Sequence, residues 1–176
     1  MKNMLLAHDH SGLNTALAGA FCALADGEVE RSYNNSDLFR ARLAMHIRAE
    51  NIHLFPALIR ASERSQIAAG APALETVHHI IAQLRADHGF FMSELTEAVK
   101  ELRELRRDDH QDSSRGLSNG REQLARVSRR LEAHNAPEES QACHWTGALL
   151  DEPAQNALNE CMRLESDNLP PRSRKR

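Results

Sequence analysis

The sequence predicts an all-α protein, an up-down-up-down four-helix bundle over residues 1–152, followed by a short C-terminal helix and a basic, disordered tail over 153–176. Hydrophobic residues make up 41% of the 176 residues and aromatic residues only 4%, which favours helices rich in Ala and Leu over strands. Apolar residues recur at three- and four-residue steps in four long stretches. Polar runs that contain Gly, Asn or Pro separate these stretches, and the length suits one domain.

The first two predicted helices are joined by a polar connection. Apolar residues at 5–25 keep helical spacing, and Gly27 follows as a helix stop. The run DGEVERSYNN at 26–35 predicts a connection, after which Ser36 caps the second helix. This second helix is expected over about 37–64.

The second half of the chain predicts two further long helices. Pro56 lies inside the second helix and predicts a kink or an early end near Phe55. Helical spacing of apolar residues predicts the third helix over about 73–107. The run RRDDHQDSSRGLSNG at 106–120 predicts a solvated connection, so the fourth helix is expected from about Arg121.

A proline interrupts the fourth predicted helix. Pro137 lacks a backbone donor and disfavours helix at the preceding residue. Asn135 would cap a restarted helix, and Glu138 would complete a capping box. A last amphipathic helix is expected over about 154–164, before the basic tail.

Net charge and cysteine content limit the classes of function that the sequence supports. The net charge of -3 disfavours binding to nucleic acid or to an anionic membrane. Cys22, Cys143 and Cys161 form no CxxC pair and are expected to be reduced, buried thiols. The apolar run at the N-terminus is too short for a signal peptide, and no stretch approaches the ~20 apolar residues of a membrane span. We expect a soluble, cytoplasmic protein.

Two pairs of matching motifs indicate an internal duplication. The pattern D-H-x-x-Φ-x-x-x-Φ-x-x-x-Φ begins at Asp9 and again at Asp87. H-x-x-x-E occurs on the second helix and again on the fourth. Each half of the chain is therefore a helix with one inward His, followed by a helix with His and Glu one turn apart. The candidate metal ligands are His10, His46, Glu50, His88, His134 and Glu138.

Folding these helices as a bundle predicts that the six residues meet in one layer. Counted from the predicted turns at ~1.5 Å per residue, they agree in level within a turn or so. Buried Glu and His without partners are costly, so a cation is the simplest neutralising partner. Imidazole and carboxylate ligands suit iron, manganese or zinc better than calcium, and six ligands are too many for one tetrahedral zinc. Two ions bridged by the two carboxylates would use all six ligands.

The chain resembles the hemerythrin-like, HHE cation-binding family. HIRAENIHLFP at 46–56 matches the family's second-helix motif along its whole length. HNAPEESQACHW at 134–145 keeps His134, Glu138 and Glu139 but departs from the family's aliphatic-aromatic-Pro ending. The resemblance implies a non-heme di-iron centre whose partner is dioxygen or nitric oxide, in sensing, iron homeostasis or stress response. Manganese or zinc are substitutes for iron, and a homodimer is compatible with this family.

Other functions stay open at this point. Pro137 and the altered ending of the fourth helix are compatible with a structural or protein-interaction bundle whose metal site is degenerate or holds one ion. No general base or substrate pocket is identifiable, so the sequence assigns no enzymatic reaction. His53 is either a further ligand, a hydrogen-bond donor behind the ligands or a surface residue, and His8 competes with His10. The remaining histidines are expected near the surface: His78, His79, His110 and His144.

Overall fold

Helices make up nearly all of the structure, a computed structural model that describes residues 4–65, 72–107 and 113–169. No strand occurs in these ranges, which confirms the all-α prediction. The α-helices are Met4–Ala25 (α1), Val29–Ala49 (α2), Phe55–Arg64 (α3), Leu74–Leu105 (α4), Ser113–Pro137 (α5), Cys143–Leu149 (α6) and Glu152–Asp167 (α7). Two π-helical segments, Glu50–Leu54 and Glu138–Ala142, join α2 to α3 and α5 to α6. No described helix is long and apolar enough to cross a membrane.

The long helices pack in a ring, with α1 against α2, α2 against α4, α4 against α5 and α5 against α1. They enclose one apolar cluster, which includes Leu17, Leu43, Leu95 and Leu131. A second apolar cluster lies toward the other end of α4 and is covered by α3, α6 and α7. Between the two clusters, each long helix carries a buried His, so a polar layer separates two dry regions.

The connection between α1 and α2 is shorter than predicted. Gly27 ends α1 as expected, since its φ of 74° suits glycine and few other residues. The predicted connection at 26–35 is wrong beyond its first residues, because α2 begins at Val29. Ser36 is buried inside α2 and is not its cap. The segment reads as polar because its outer face is charged, whereas Ser32 on the inner face donates a hydrogen bond to the Ala20 carbonyl at 3.4 Å.

Neither proline ends the helical path, so the early end near Phe55 does not occur, whereas a kink at either proline stays a prediction. The helix continues through Pro56 into α3, and Pro137 is the last residue of α5, which runs on into the second π segment. Asn135 lies within α5 and caps no new helix. Pro56 follows its π segment whereas Pro137 precedes the other, so proline does not explain the two π turns. What the segments share is a buried Glu as their first residue.

The fourth long helix begins earlier than predicted, at Ser113 rather than near Arg121. Gly116 and Gly120 were expected to loosen a connection, but both lie inside α5 against α4. A Cβ on Gly116 would stand 2.5 Å from Leu105 Cδ2, so the absent side chain lets the helices approach. The third helix, α4, and the C-terminal helix, α7, are confirmed. The predicted disordered tail lies outside the described residues from 170 onward. The prediction of buried thiols is wrong for Cys22 and Cys161, which lie on exposed helix faces, while Cys143 is partly buried.

Candidate metal centre

The structure brings all six predicted ligand residues into the buried polar layer. They come from α1, α2, α4, α5 and the two π segments, and each is at most 4% exposed. Their ligand atoms form two sets of three, each within 4.8 Å of one another. We call His10, His46 and Glu138 the first set, and Glu50, His88 and His134 the second set.

The two carboxylates link the sets. Glu50 Oε1 lies 3.1 Å from His46 Nε2, and Glu50 Oε2 lies 2.9 Å from His88 Nε2. Glu138 Oε2 lies 3.3 Å from His10 Nε2 and 3.7 Å from His134 Nε2. Each carboxylate therefore contacts one His of each set, which is the connectivity of a carboxylate-bridged pair of ions.

The π turns place these carboxylates. In each copy, the His ends or nearly ends a regular helix and the Glu begins the π segment. The Phe55 N–H bonds to the Glu50 carbonyl, and the Cys143 N–H bonds to the Glu138 carbonyl, both five residues back. Such turns are rare in proteins, and those that occur are often found at functional sites. Their repetition at both H-x-x-x-E motifs supports the duplication read from the sequence.

Three of the four site histidines have a polar partner within hydrogen-bond distance of the outward ring nitrogen, and His46 has the Asp9 carboxylate at ion-pair distance. The Nδ1 atoms of His10 and His134 lie 2.8 Å from Glu139 Oε1 and 3.3 Å from Asp87 Oδ2. Those of His46 and His88 lie 3.6 Å from Asp9 Oδ2 and 3.2 Å from Asn51 Nδ2. Partners of this kind orient a metal-binding imidazole and direct its Nε2 inward.

The contacts between the site histidines and their outer partners follow the same pattern in both copies of the motif. The Asp that precedes each inward His contacts the His of the next H-x-x-x-E helix: Asp9 contacts His46, and Asp87 contacts His134. The residue after each motif Glu contacts the other His. Asn51 does so in one copy, and Glu139 takes that place in the other. Neither Asp was among the predicted site residues, although the Asp-His repeat in the sequence was the available signal.

These outer partners are themselves held in place. Arg130 Nε donates to Asp87 Oδ1 at 2.7 Å, and the guanidinium lies over the Phe90 ring. Ser166 of α7 donates to Asp9 Oδ2 at 2.9 Å. The C-terminal helix is thus linked to the polar layer through one carboxylate.

The inner side of the cluster carries buried polar atoms without hydrogen bonds. Both oxygens of Glu50, both oxygens of Glu138 and the Nε2 atoms of His10 and His88 have no aligned donor or acceptor. Their mutual contacts are at ion-pair distance but do not have hydrogen-bond geometry. Orphaned buried groups are expensive in a folded protein. Lone pairs that converge on shared points are what a bound cation satisfies, so the residues fit a metal centre.

Burial and close charges shift the pKa values of the cluster in opposite directions. Burial would lower the pKa of His46, but the carboxylates of Glu50, Asp9 and Glu138 together outweigh it and hold that pKa well above its usual value. Burial likewise opposes ionisation of Glu50, yet His46 holds the pKa of Glu50 well below its usual value. Burial and the neighbouring charge of Glu50 raise the pKa of Glu138 to about 8. Burial lowers the pKa of His134 to about 4. One carboxylate is thus ionised and the other holds a proton at neutral pH.

Aromatic rings close the layer on one side. The Phe55 ring stacks on His88, with centroids 5.8 Å apart, and the Phe91 ring meets His134 edge-on at 5.3 Å. Both phenylalanines are fully buried. The second set of ligands is therefore well shielded from water.

The remaining histidines are not in the cluster. His53 is partly exposed and faces α7, where its Nε2 lies 3.9 Å from Glu165 Oε2. His78, His79 and His144 are exposed, as predicted. The His8 side chain and all of His110 lie outside what the structure describes.

Comparison of the chain with protein-family models, with curated proteins and with solved structures gives no match. The site is therefore interpreted from its own geometry.

Proposed function

We propose that this chain is a hemerythrin-like four-helix bundle that holds a carboxylate-bridged di-iron centre and binds dioxygen or nitric oxide there. The supporting observation is the buried layer of four His and two Glu, whose inward atoms lack hydrogen bonds. The ring of α1, α2, α4 and α5 around this layer supports the bundle assignment. Manganese and zinc remain substitutes for iron, because the same nitrogen and oxygen ligands suit all three metals.

Each residue has a definite task in this proposal. His10 and His46 would bind one ion, His88 and His134 the other, and Glu50 and Glu138 would bridge both. Two imidazoles and two shared carboxylates leave coordination positions free at each ion. Bound iron supplies reversible coordination of a diatomic ligand and one-electron redox chemistry. The chain itself binds and orients the ions and keeps water out.

The surroundings suit a small, uncharged ligand. A pocket of about 230 Å³ opens between α1, α2 and α7, and His46 and Asp9 form part of its wall. This places solvent-accessible space directly beside the first set of ligands. Above and below the polar layer the two apolar clusters exclude water, so small ligands would approach through this pocket.

The proposal is tested by metal content. Purified chain, loaded with Fe²⁺ under anaerobic conditions and desalted, is expected to hold about two irons by elemental analysis, as a dinuclear site requires. His88→Ala is expected to lower that content, whereas His79→Ala is the matched control, because His79 is exposed on the same helix. Addition of nitric oxide should change the absorption spectrum of the loaded wild type and of loaded His79→Ala in the same way. Less than about a tenth of an iron per chain would refute the centre.

The structural or protein-interaction bundle is the competing function. It would leave the orphaned atoms of Glu50 and Glu138 in a dry layer, which is unfavourable. A melting temperature that does not change with metal would favour it, since an ion that binds the native state stabilises that state. A cytoplasmic location and a homodimer stay predictions, as does the absence of nucleic-acid binding.

A further inference from the structure

The two ligand sets differ at one outer position. In the first set, His10 and His46 face the carboxylates of Glu139 and Asp9 through Nδ1. In the second set, His134 faces the carboxylate of Asp87, but His88 faces the side-chain amide of Asn51. A carboxylate can only accept a hydrogen bond from an imidazole, whereas an amide can either donate or accept.

The contacts of Asn51 fix which way its amide points. Its Nδ2 donates to the Ile47 carbonyl at 2.9 Å, and its Oδ1 accepts from Arg85 Nε at 3.1 Å. Rotation of the amide by 180° would set Oδ1 against the Ile47 carbonyl oxygen and the NH2 against the Arg85 donor, so both bonds would be lost. Arg85 is also held over the Phe55 ring, at 5.6 Å from its centroid. The NH2 group therefore faces His88 Nδ1 at 3.2 Å.

This orientation determines where His88 carries its ring hydrogen. Because Nδ1 faces a donor, Nδ1 must be the unprotonated nitrogen and the hydrogen sits on Nε2. Nε2 is the nitrogen that points to Glu50 and into the cluster. For Nε2 to bind a cation, the ring must lose that hydrogen and gain one at Nδ1, with no change in ring charge. The new N–H would then meet the Asn51 NH2 unless the amide turns.

We propose that Asn51, held by Ile47 and Arg85, makes the second ligand set the weaker one, so that this chain takes up its two ions in sequence. This inference rests on the proposed di-metal function. The ion held by His10 and His46 binds first, because both rings face carboxylates, which accept the Nδ1 hydrogen of a ring bound through Nε2. The protons on His10, His46 and Glu138 must leave when this ion binds, so alkaline pH favours the first set. The ion held by His88 and His134 binds second, because its binding must turn the Asn51 amide away from two hydrogen bonds. Asn51 is a positioning residue and touches no ion.

In the isosteric variant Asn51→Asp, one carboxylate oxygen can accept from His88 Nδ1 and the other keeps Arg85 as a partner, while the bond to the Ile47 carbonyl is lost. Titration with Co²⁺ at pH 8, followed by calorimetry and by visible absorption, is expected to give two steps in wild type. In Asn51→Asp the second step should tighten by about 10-fold or more, the size of effect that outer partners of a metal-binding His exert. Asn34→Asp is the matched control, since it adds the same charge on an exposed face of α2, and both steps should match wild type.

The order of filling is tested by deleting one ligand at a time. His88→Ala should keep the tight first step and lose the second, whereas His10→Ala should lose the tight step. Two equal steps in wild type, the reverse order, or an Asn51→Asp variant with an unchanged second step would each overturn the inference.

A second measurement does not depend on metal uptake. Long-range proton–nitrogen correlation spectra of the metal-free chain with ¹⁵N-labelled histidine report which ring nitrogen carries hydrogen, and His88→Ala identifies the His88 signals. The expected result is hydrogen on Nε2 of wild-type His88 and on Nδ1 in Asn51→Asp. Hydrogen on Nδ1 of wild-type His88 would overturn the inference even if two ions bind. If no Co²⁺ or Fe²⁺ binds at all, the proposed function fails, and sequential uptake fails with it.

Discussion

Replacement of Glu138 by Gln is expected to have opposite effects on two properties: it stabilises the metal-free protein and weakens metal binding. Gln keeps the size and polarity of the side chain but cannot ionise. Burial and the charge of Glu50 raise the pKa of Glu138 from its usual value of 4.5 to about 8. In that pH window the unfolded chain is ionised at this residue while the folded, metal-free chain still holds the proton. The contribution of Glu138 to the stability of the metal-free wild type must therefore fall as pH rises from 4.5 to 8.

The size of this effect follows from the two pKa values. Each pH unit within the window costs the wild type about 1.4 kcal/mol, and the slope flattens near the folded pKa. The difference in the free energy of unfolding between Glu138→Gln and the wild type should shift by about 2 kcal/mol in favour of the variant when the pH is raised from 6 to 8. At the same time the variant should lose tight metal binding, because a neutral amide replaces a carboxylate that contacts both His10 and His134.

Urea unfolding of chelator-treated protein, followed by circular dichroism at several pH values, measures the first effect. Glu132→Gln is the control, since Glu132 is exposed on the same helix and its removal should leave the pH dependence as in wild type. A stability difference between Glu138→Gln and wild type that does not vary with pH would refute the proton on Glu138. Full retention of two ions by the variant would refute its bridging role.

Two further changes test the packing and the outer partners. Gly116→Ala should destabilise the protein by about 1–3 kcal/mol, because its Cβ would overlap the Leu105 side chain; Gly89→Ala, with nothing within 4 Å of its Cβ, should instead stabilise by up to about 1 kcal/mol. Equal melting temperatures for these two variants would contradict the close contact of α4 and α5. Asp87→Asn should weaken Co²⁺ binding by about 10- to 100-fold, because an amide no longer fixes the hydrogen of His134 on Nδ1. Unchanged affinity in a Co²⁺ titration would remove Asp87 from the site.

The helical spacing of apolar residues predicted several elements of the structure correctly. The helical spacing in α4 and α7 gave their extents closely, because one face of each contacts an apolar cluster along the helix. The six site residues share one layer, as the count along the helices predicted, although α2 begins at Val29 and not after residue 35. Periodicity and rise are local properties, and local properties can be read from one chain.

The wrong or missing predictions concern residues whose structural role depends on contacts outside their own segment. Gly116 looked like a loop residue until the Leu105 side chain was placed beside it. Pro137 looked like a helix end, but the π segment that follows lets the helix continue. Asn51 gave no signal at all, because its importance lies in contacts with Arg85 and His88 on another helix. Tertiary contacts of this kind override local propensity.

The central claim is that six residues hold two metal ions, and anomalous diffraction at the iron edge tests it most directly. Crystals of the iron-loaded chain should show two peaks about 3.5–4 Å apart. One peak should lie among His10, His46 and Glu138, and the other among Glu50, His88 and His134. The absence of anomalous density in this layer, with the protein folded and iron present in the crystal, would contradict the account.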